Sequence, residues 1–175
     1  LGGVFVALQG LASDGRDYID AAFARGAVAV LAEAEGLESS DSRVIPVQGL
    51  KAQLGEIARR FYADPSKDLS LLAVTGTNGK TTVTWLIHQL VRHGGIDSGL
   101  VGTVGIQTGR LPAIQPATMT TPPAPELSAL LADMVDANCK ACLMEVSSHA
   151  LDQRRVDALQ FSVAVFTNLT GDHLD

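Results

Sequence analysis

Thr75-Gly76-Thr77-Asn78-Gly79-Lys80-Thr81-Thr82 is the stretch on which the reading of this chain turns. Leu69-Ser70-Leu71-Leu72-Ala73-Val74 precedes it, a short apolar run of the kind that makes a buried strand. After it Val83, Leu86, Ile87, Leu90 and Val91 recur at helical spacing. Arg92 and His93 suit the negative end of that helix, and Gly94-Gly95 stop it. The stretch is therefore a glycine-bearing turn from a strand into a helix N-terminus. Unpaired N–H groups and the positive end of the helix dipole favour an anion there. Gly76 and Gly79 admit a phosphate close to the backbone, Lys80 reaches outer phosphates, and the Thr81 hydroxyl suits magnesium. The general pattern G-x-x-x-x-G-K-[ST] would place its first glycine at Val74, so this stretch departs from it. The bland alternative is a tight turn with a surface lysine.

The chain has 175 residues, 46% hydrophobic and 18% charged. That length suits one domain or two small ones, and so few charges suit a packed globule and not a disordered chain. A formal net charge of -6 argues against a general nucleic-acid surface. No run approaches the roughly 18 apolar residues of a membrane span, and no secretory signal is seen, although the chain starts at Leu1 without Met. Cys139 and Cys142 stand in C-x-x-C spacing. A redox or metal pair is one reading, but no second pair completes a zinc site. Buried inert thiols in a reducing cytoplasm are the expectation.

Strands are expected at Val4-Phe5-Val6-Ala7-Leu8, 28–32 and Val44–Val47. Between and after them lie helices with apolar faces at Tyr18, Ile19, Ala22 and Phe23, and at Leu50, Leu54, Ile57, Ala58 and Phe61. This alternation predicts an α/β layer. Ala63-Asp64-Pro65-Ser66-Lys67 breaks it, which sets a domain boundary, 1–67 and 68–175. In the second domain short strands are expected at 99–101 and 104–106, and a loop follows over 108–117. A helix after Pro122-Pro123 buries Leu127, Leu130, Leu131, Met134 and Val135. Strands close the pattern at Ala141–Glu145 and 161–167.

Glu145 ends an apolar strand, where an acid near a phosphate loop can hold magnesium; the alternative is an ordinary exposed carboxylate. Ser147-Ser148-His149 lacks the G-x-S-x-G setting of a hydrolase and reads better as polar ligand contacts. Gln153, Arg154 and Arg155 are either solvated surface or a guanidinium fork on an oxyanion. His173 is a metal ligand or a structural histidine, and His88 and His93 are read as surface.

Taken together, these segments resemble the Mur ligase family, the ATP-dependent ligases of peptidoglycan precursor synthesis. The likeness rests on 75–82, on Glu145-Val146-Ser147-Ser148-His149-Ala150-Leu151, on Val165-Phe166-Thr167-Asn168-Leu169-Thr170-Gly171-Asp172-His173-Leu174-Asp175, and on Gly3-Val4-Phe5-Val6-Ala7-Leu8 with Asp14-Gly15. They look like the branch that adds the third residue of the stem peptide. The resemblance implies a partial UDP-substrate domain followed by a partial phosphate-loop ATPase domain with a mostly parallel sheet. It implies ATP as co-substrate with Mg2+, and UDP-MurNAc-L-Ala-D-Glu plus a diamino acid as substrates, meso-diaminopimelate before L-lysine. The substrate carboxylate would attack the γ-phosphate, and an amine would then displace phosphate from the acyl phosphate. Carried over by position, Gly76, Thr77, Asn78, Gly79, Lys80, Thr81, Thr82 and Asn168 would meet the nucleotide. Lys80, Glu145 and His173 would be catalytic, with Thr81, Glu145 and His173 on metal. Leu11, Ala12, Ser13, Thr120, Thr121, Ser147, Gln153 and Arg155 would meet the UDP substrate. Gly171 stands where many members carry arginine. The family's modified lysine and its third domain are expected outside this chain, which alone is expected to form no amide. The family further implies a cytoplasmic monomer. Glu145 to His149 with Gln153 and Arg155 argue against a folate ligase; cyanophycin synthetase and a non-catalytic nucleotide-binding module remain the alternatives.

Overall fold

Residues 2–10, 13–109 and 114–170 are described by the computed structural model. The chain divides into two units, Leu1–Leu54 and Gly55–Asp175. Leu11, Ala12, Gly171 and His173 lie outside the described residues.

In the first unit β1 (Val4–Ala7), β2 (Ala29–Glu33) and β3 (Val44–Val47) form a parallel sheet in that order. Its core is Ala7, Val30, Ala32 and Val44, with Ile19 and Phe23 of α1 (Ile19–Ala24) against it. Tyr18, expected on that apolar face, is exposed because it belongs to the 3-10 turn Gly15–Tyr18 before the helix. α2 (Leu50–Phe61) starts where the Glu33 carboxylate accepts from the N–H groups of Gly49 and Leu50, at 2.7 and 2.8 Å. An anion at the positive end of a helix stabilises it.

The second unit holds β4 (Ser70–Thr75), β5 (Ser98–Gly102), β6 (Gly105–Gln107), β7 (Ala141–Glu145) and β8 (Val163–Phe166). The sheet order is β6-β5-β7-β4-β8, parallel except for the β5–β6 pair. Both faces are covered, so β7 reads as a continuous apolar run. Leu71, Ala73, Cys142 and Met144 face α4 (Ala124–Asp136) through Leu127, Leu131 and Met134. Leu72, Leu100, Ala141 and Leu143 face α3 (Lys80–His93) through Trp85 and Ile87. Side chains alternate across a strand, so Glu145 shares the α3 side with Ala141 and Leu143. That parity aims its carboxylate at the start of α3.

Three further expectations are corrected. Leu86 and Leu90, expected in the buried face of α3, are 54% and 70% exposed, while Thr84 and His88 are buried. The apolar stripe meets the sheet at the stripe's own edge, through Ile87 with Trp85, and not at the stripe's centre, because the turn at 76–79 sets where the helix starts. His88, expected at the surface, is 0% exposed, and its Nε2 lies 3.2 Å from the Ser98 carbonyl oxygen. Burial pushes its pKa down. Phe61, expected in a buried face, is exposed at the end of α2. A further element, the one-turn helix α5 (Ser148–Asp152), was too short to carry a periodic signal. Cys139 and Cys142 are both free and buried, as expected. Burial holds both thiols protonated and pushes Cys142 up to about 12.

Candidate active site

β4 ends at Thr75, and the chain turns through 76–79 into α3. Lys80 folds back over the turn, with Nζ donating to the carbonyls of Gly76 at 2.7 Å and Thr77 at 3.0 Å. The segment after β8 fastens the turn from the other side. Thr77 N–H donates to the Asn168 carbonyl and Asn78 N–H to Asn168 Oδ1, at 2.9 and 3.0 Å. Asn168 Nδ2 and Thr167 Oγ1 both donate to the Asn78 carbonyl. Thr170 N–H donates to Thr77 Oγ1. Gly76, at φ +127°, has room for no side chain, since a Cβ would stand 2.3 Å from Thr167 Oγ1 and 2.8 Å from the Asn168 carbonyl oxygen. Among the described residues no backbone carbonyl or side chain accepts from the N–H groups of Gly79, Lys80, Thr81 or Thr82. Four free donors at the positive end of a 14-residue helix make an anion site.

Glu145 stands beside it, 2% exposed and not the open carboxylate of the bland alternative. Its Oε2 accepts from the Thr81 hydroxyl at 2.8 Å. Its Oε1 accepts from the Thr103 N–H at 2.7 Å, and the Thr103 hydroxyl donates to Oε2 at 3.2 Å. Room for the carboxylate comes from Gly102, whose Cβ would lie 2.3 Å from Oε1. Among the described residues no group of three or more His, Cys, Asp or Glu could hold a metal. One buried carboxylate and one hydroxyl still fit Mg2+, which takes one or two carboxylates and fills its shell with water and phosphate oxygens.

The strand end also anchors the substrate-side residues predicted from sequence. Thr121, buried, donates through Oγ1 to the Glu145 carbonyl at 2.8 Å and accepts from Ser147 N–H at 3.2 Å. Thr120 Oγ1 lies 3.0 Å from Thr103 Oγ1. Ser147 caps α5, its Oγ accepting from Ala150 N–H. Arg155 donates through Nη1 to the Thr121 carbonyl at 2.5 Å, and through Nε and Nη2 to Gln153 Oε1. Lys80, Thr81, Glu145, Thr120, Thr121, Ser147, Gln153, Arg155 and Asn168 thus converge through shared contacts around the carboxyl ends of β4, β7 and β8, where parallel sheets bind ligands. Ser13 belongs to the first unit, where its carbonyl accepts from Gly10 N–H. Sequence reasoning missed Thr103 and the clamping role of Thr167; the Gly102-Thr103 pair at a strand end was the available signal.

Fold and geometry together define a class: a mostly parallel α/β protein with an anion-accepting turn and a buried acid on the neighbouring strand. Residues 74–175 match the Mur ligase middle domain, and residues 2–62 match the description Mur ligase family, catalytic domain. The chain belongs to the Mur ligase family. It is 47% identical over 174 residues to the UDP-N-acetylmuramoyl-L-alanyl-D-glutamate--2,6-diaminopimelate ligase of Geobacter sulfurreducens, covering 99% of this chain and 34% of that protein. Identity to the ligase of the same name in Pseudomonas syringae pv. tomato is 50% over 177 residues, 99% of this chain and 36% of that one. A solved structure of a ligase of that name superposes with a TM-score of 0.81 at 32% identity, over 100% of this chain and 36% of its own. The fold of MurF ligase from Thermotoga maritima, solved with ADP, is also similar, with a TM-score of 0.67 at 24% identity over 99% of this chain and 36% of that one. The chain thus spans about a third of the length of these curated relatives.

Proposed function

We propose that the protein carrying this chain is an ATP-dependent amide ligase that adds a diamino acid, meso-diaminopimelate in preference to L-lysine, to UDP-MurNAc-L-Ala-D-Glu. The observation that carries this reading is the Thr81–Glu145 contact at the mouth of the anion site, in a chain close to half identical to ligases named for that reaction. We assign 1–67 to the UDP end of the substrate and 68–175 to ATP, in a cytoplasmic monomer.

Gly79 to Thr82 would receive phosphate oxygens on their free N–H groups. Lys80, drawn off the carbonyls of Gly76 and Thr77, would follow charge on the transferred phosphoryl group. Mg2+, held by Thr81 and Glu145 with His173 as a further ligand, would neutralise phosphate charge. Thr120, Thr121, Ser147, Gln153 and Arg155 would fix the UDP-muramoyl dipeptide so that its glutamate carboxylate faces the γ-phosphate, with Leu11, Ala12 and Ser13 toward uridine. Attack gives an acyl phosphate and ADP; the amine of the diamino acid then displaces phosphate and leaves an amide. Positioning and charge neutralisation supply the catalysis.

The test is a ligation assay on the full-length protein with ATP, Mg2+, UDP-MurNAc-L-Ala-D-Glu and either diaminopimelate or lysine. UDP-muramoyl-tripeptide should form with one ADP per amide, faster with diaminopimelate. ATP turnover that ignores the UDP substrate, with no tripeptide from either amino acid, overturns the reading.

A further inference from the structure

Thr103 lies in the exposed two-residue turn between β5 and β6, outside the buried core. It nevertheless makes three polar contacts. Its N–H donates to Glu145 Oε1, its hydroxyl donates to Glu145 Oε2, and its Oγ1 lies 3.0 Å from Thr120 Oγ1. A carboxylate accepts and cannot donate, and a hydroxyl has one hydrogen. With that hydrogen on Glu145, the Thr120 hydroxyl must be the donor to Thr103. The result is a directed chain, Thr120 to Thr103 to Glu145, running from the strand-end loop to the buried acid.

The fold places this turn deliberately. β5 and β7 pair in parallel with Leu100 opposite Leu143 and Val101 opposite Met144. Continued by one residue, that register sets Gly102 opposite Glu145, which agrees with the 2.3 Å from its Cβ position to Oε1. Glycine opens the space, and the next residue reaches across it to grip both carboxylate oxygens. Thr81 grips only Oε2.

We propose that Thr103 is a positioning residue, which holds the Glu145 carboxylate at the orientation needed by a divalent cation and ties that orientation to Thr120 on the substrate side. This rests on the proposed metal role of Glu145. Outer partners of a metal-binding carboxylate fix its direction and its basicity. The hydroxyl of Thr103 is the part that a side-chain change can remove, since the N–H contact belongs to the backbone.

The experiment uses the full-length protein and a fluorescent ADP, titrated with Mg2+ and, separately, bound in EDTA. Thr103→Val keeps shape and removes the hydroxyl. It should raise the Mg2+ midpoint about tenfold, leave metal-free nucleotide affinity and the melting temperature close to the parent, and be rescued to within about twofold by Thr103→Ser. Glu145→Gln is the companion variant. If Glu145→Gln moves the midpoint and Thr103→Val does not, the positioning role is wrong and the metal reading stands. If Glu145→Gln itself leaves the midpoint in place, both fall. Loss of nucleotide affinity in EDTA on Thr103→Val would place the residue in the phosphate turn and overturn the proposal as well.

Discussion

Lys80 is the cation that the phosphate turn itself carries, and its Nζ already lies on the turn's own carbonyls. Lys80→Ala should therefore lower kcat of the full-length protein by far more than about tenfold, a cost well above about 1.4 kcal/mol. Single-turnover measurement of ADP release checks it. Glu145→Gln keeps volume and removes the charge that a hard cation prefers. The buried amide must also place an NH2 where Thr81 and Thr103 now present donors. Mg2+ dependence should shift to higher concentration, read from ATPase rates across an Mg2+ series. Arg155 has one arm on the Thr121 carbonyl and another on Gln153. An ammonium cannot span those two directions. Arg155→Lys should raise KM for the UDP substrate with a smaller change in kcat, and an unchanged KM would leave Arg155 a surface residue.

Among the elements, the turn at 76–79 is held from two sides before any nucleotide arrives. Gly76→Ala would drive a methyl into Thr167 and Asn168. The clamp should open, with loss of nucleotide affinity and a lower melting temperature, both measurable on one sample by calorimetry. The strand, turn and helix around Lys80 were legible because each carries its own local signal: an apolar run, paired glycines, a basic end before Gly94-Gly95. Glu145 was legible for the same reason, as an acid closing an apolar strand. What could not be read was set by tertiary contact. The buried face of α3 went to Thr84 and His88 and not to Leu86 and Leu90, because the turn that delivers the helix, and not its apolar stripe, sets its rotation against the sheet. Gly102-Thr103 at a strand end was a local signal, but the partner of Thr103 was not readable, because it lies in a register between β5 and β7, residues about forty positions apart in sequence. Ser147 was read as a ligand contact, while its structural duty as the cap of α5 needed a helix too short to announce itself.

Across the molecule, stability and chemistry meet in buried groups that never touch the site. His88 is buried with its pKa below the ordinary 6.5. The unfolded chain then binds more protons than the folded one as pH falls through that region. The stabilising effect of a neutral His88 is complete above about pH 6.5 and is lost as pH drops toward its depressed folded value. Melting temperature should fall between about pH 7.5 and about pH 5.5, and His88→Gln should flatten that slope. Cys139 and Cys142 should likewise resist thiol reagents until the second unit opens, so their labelling rate reports its unfolding. The alternation of β7 has a consequence of another kind. Three residues on one side of that strand, Ala141, Leu143 and Glu145, end in the acid, and two on the other, Cys142 and Met144, do not. Insert or delete one residue within it and the two sides exchange: the carboxylate arrives among the packing partners of α4, with neither Thr81 nor Thr103 in reach. The strand works as a ruler with only two marks. Length variation among natural relatives should therefore collect in the connections, such as the long one between β6 and α4, while β7 admits substitutions but no change of count.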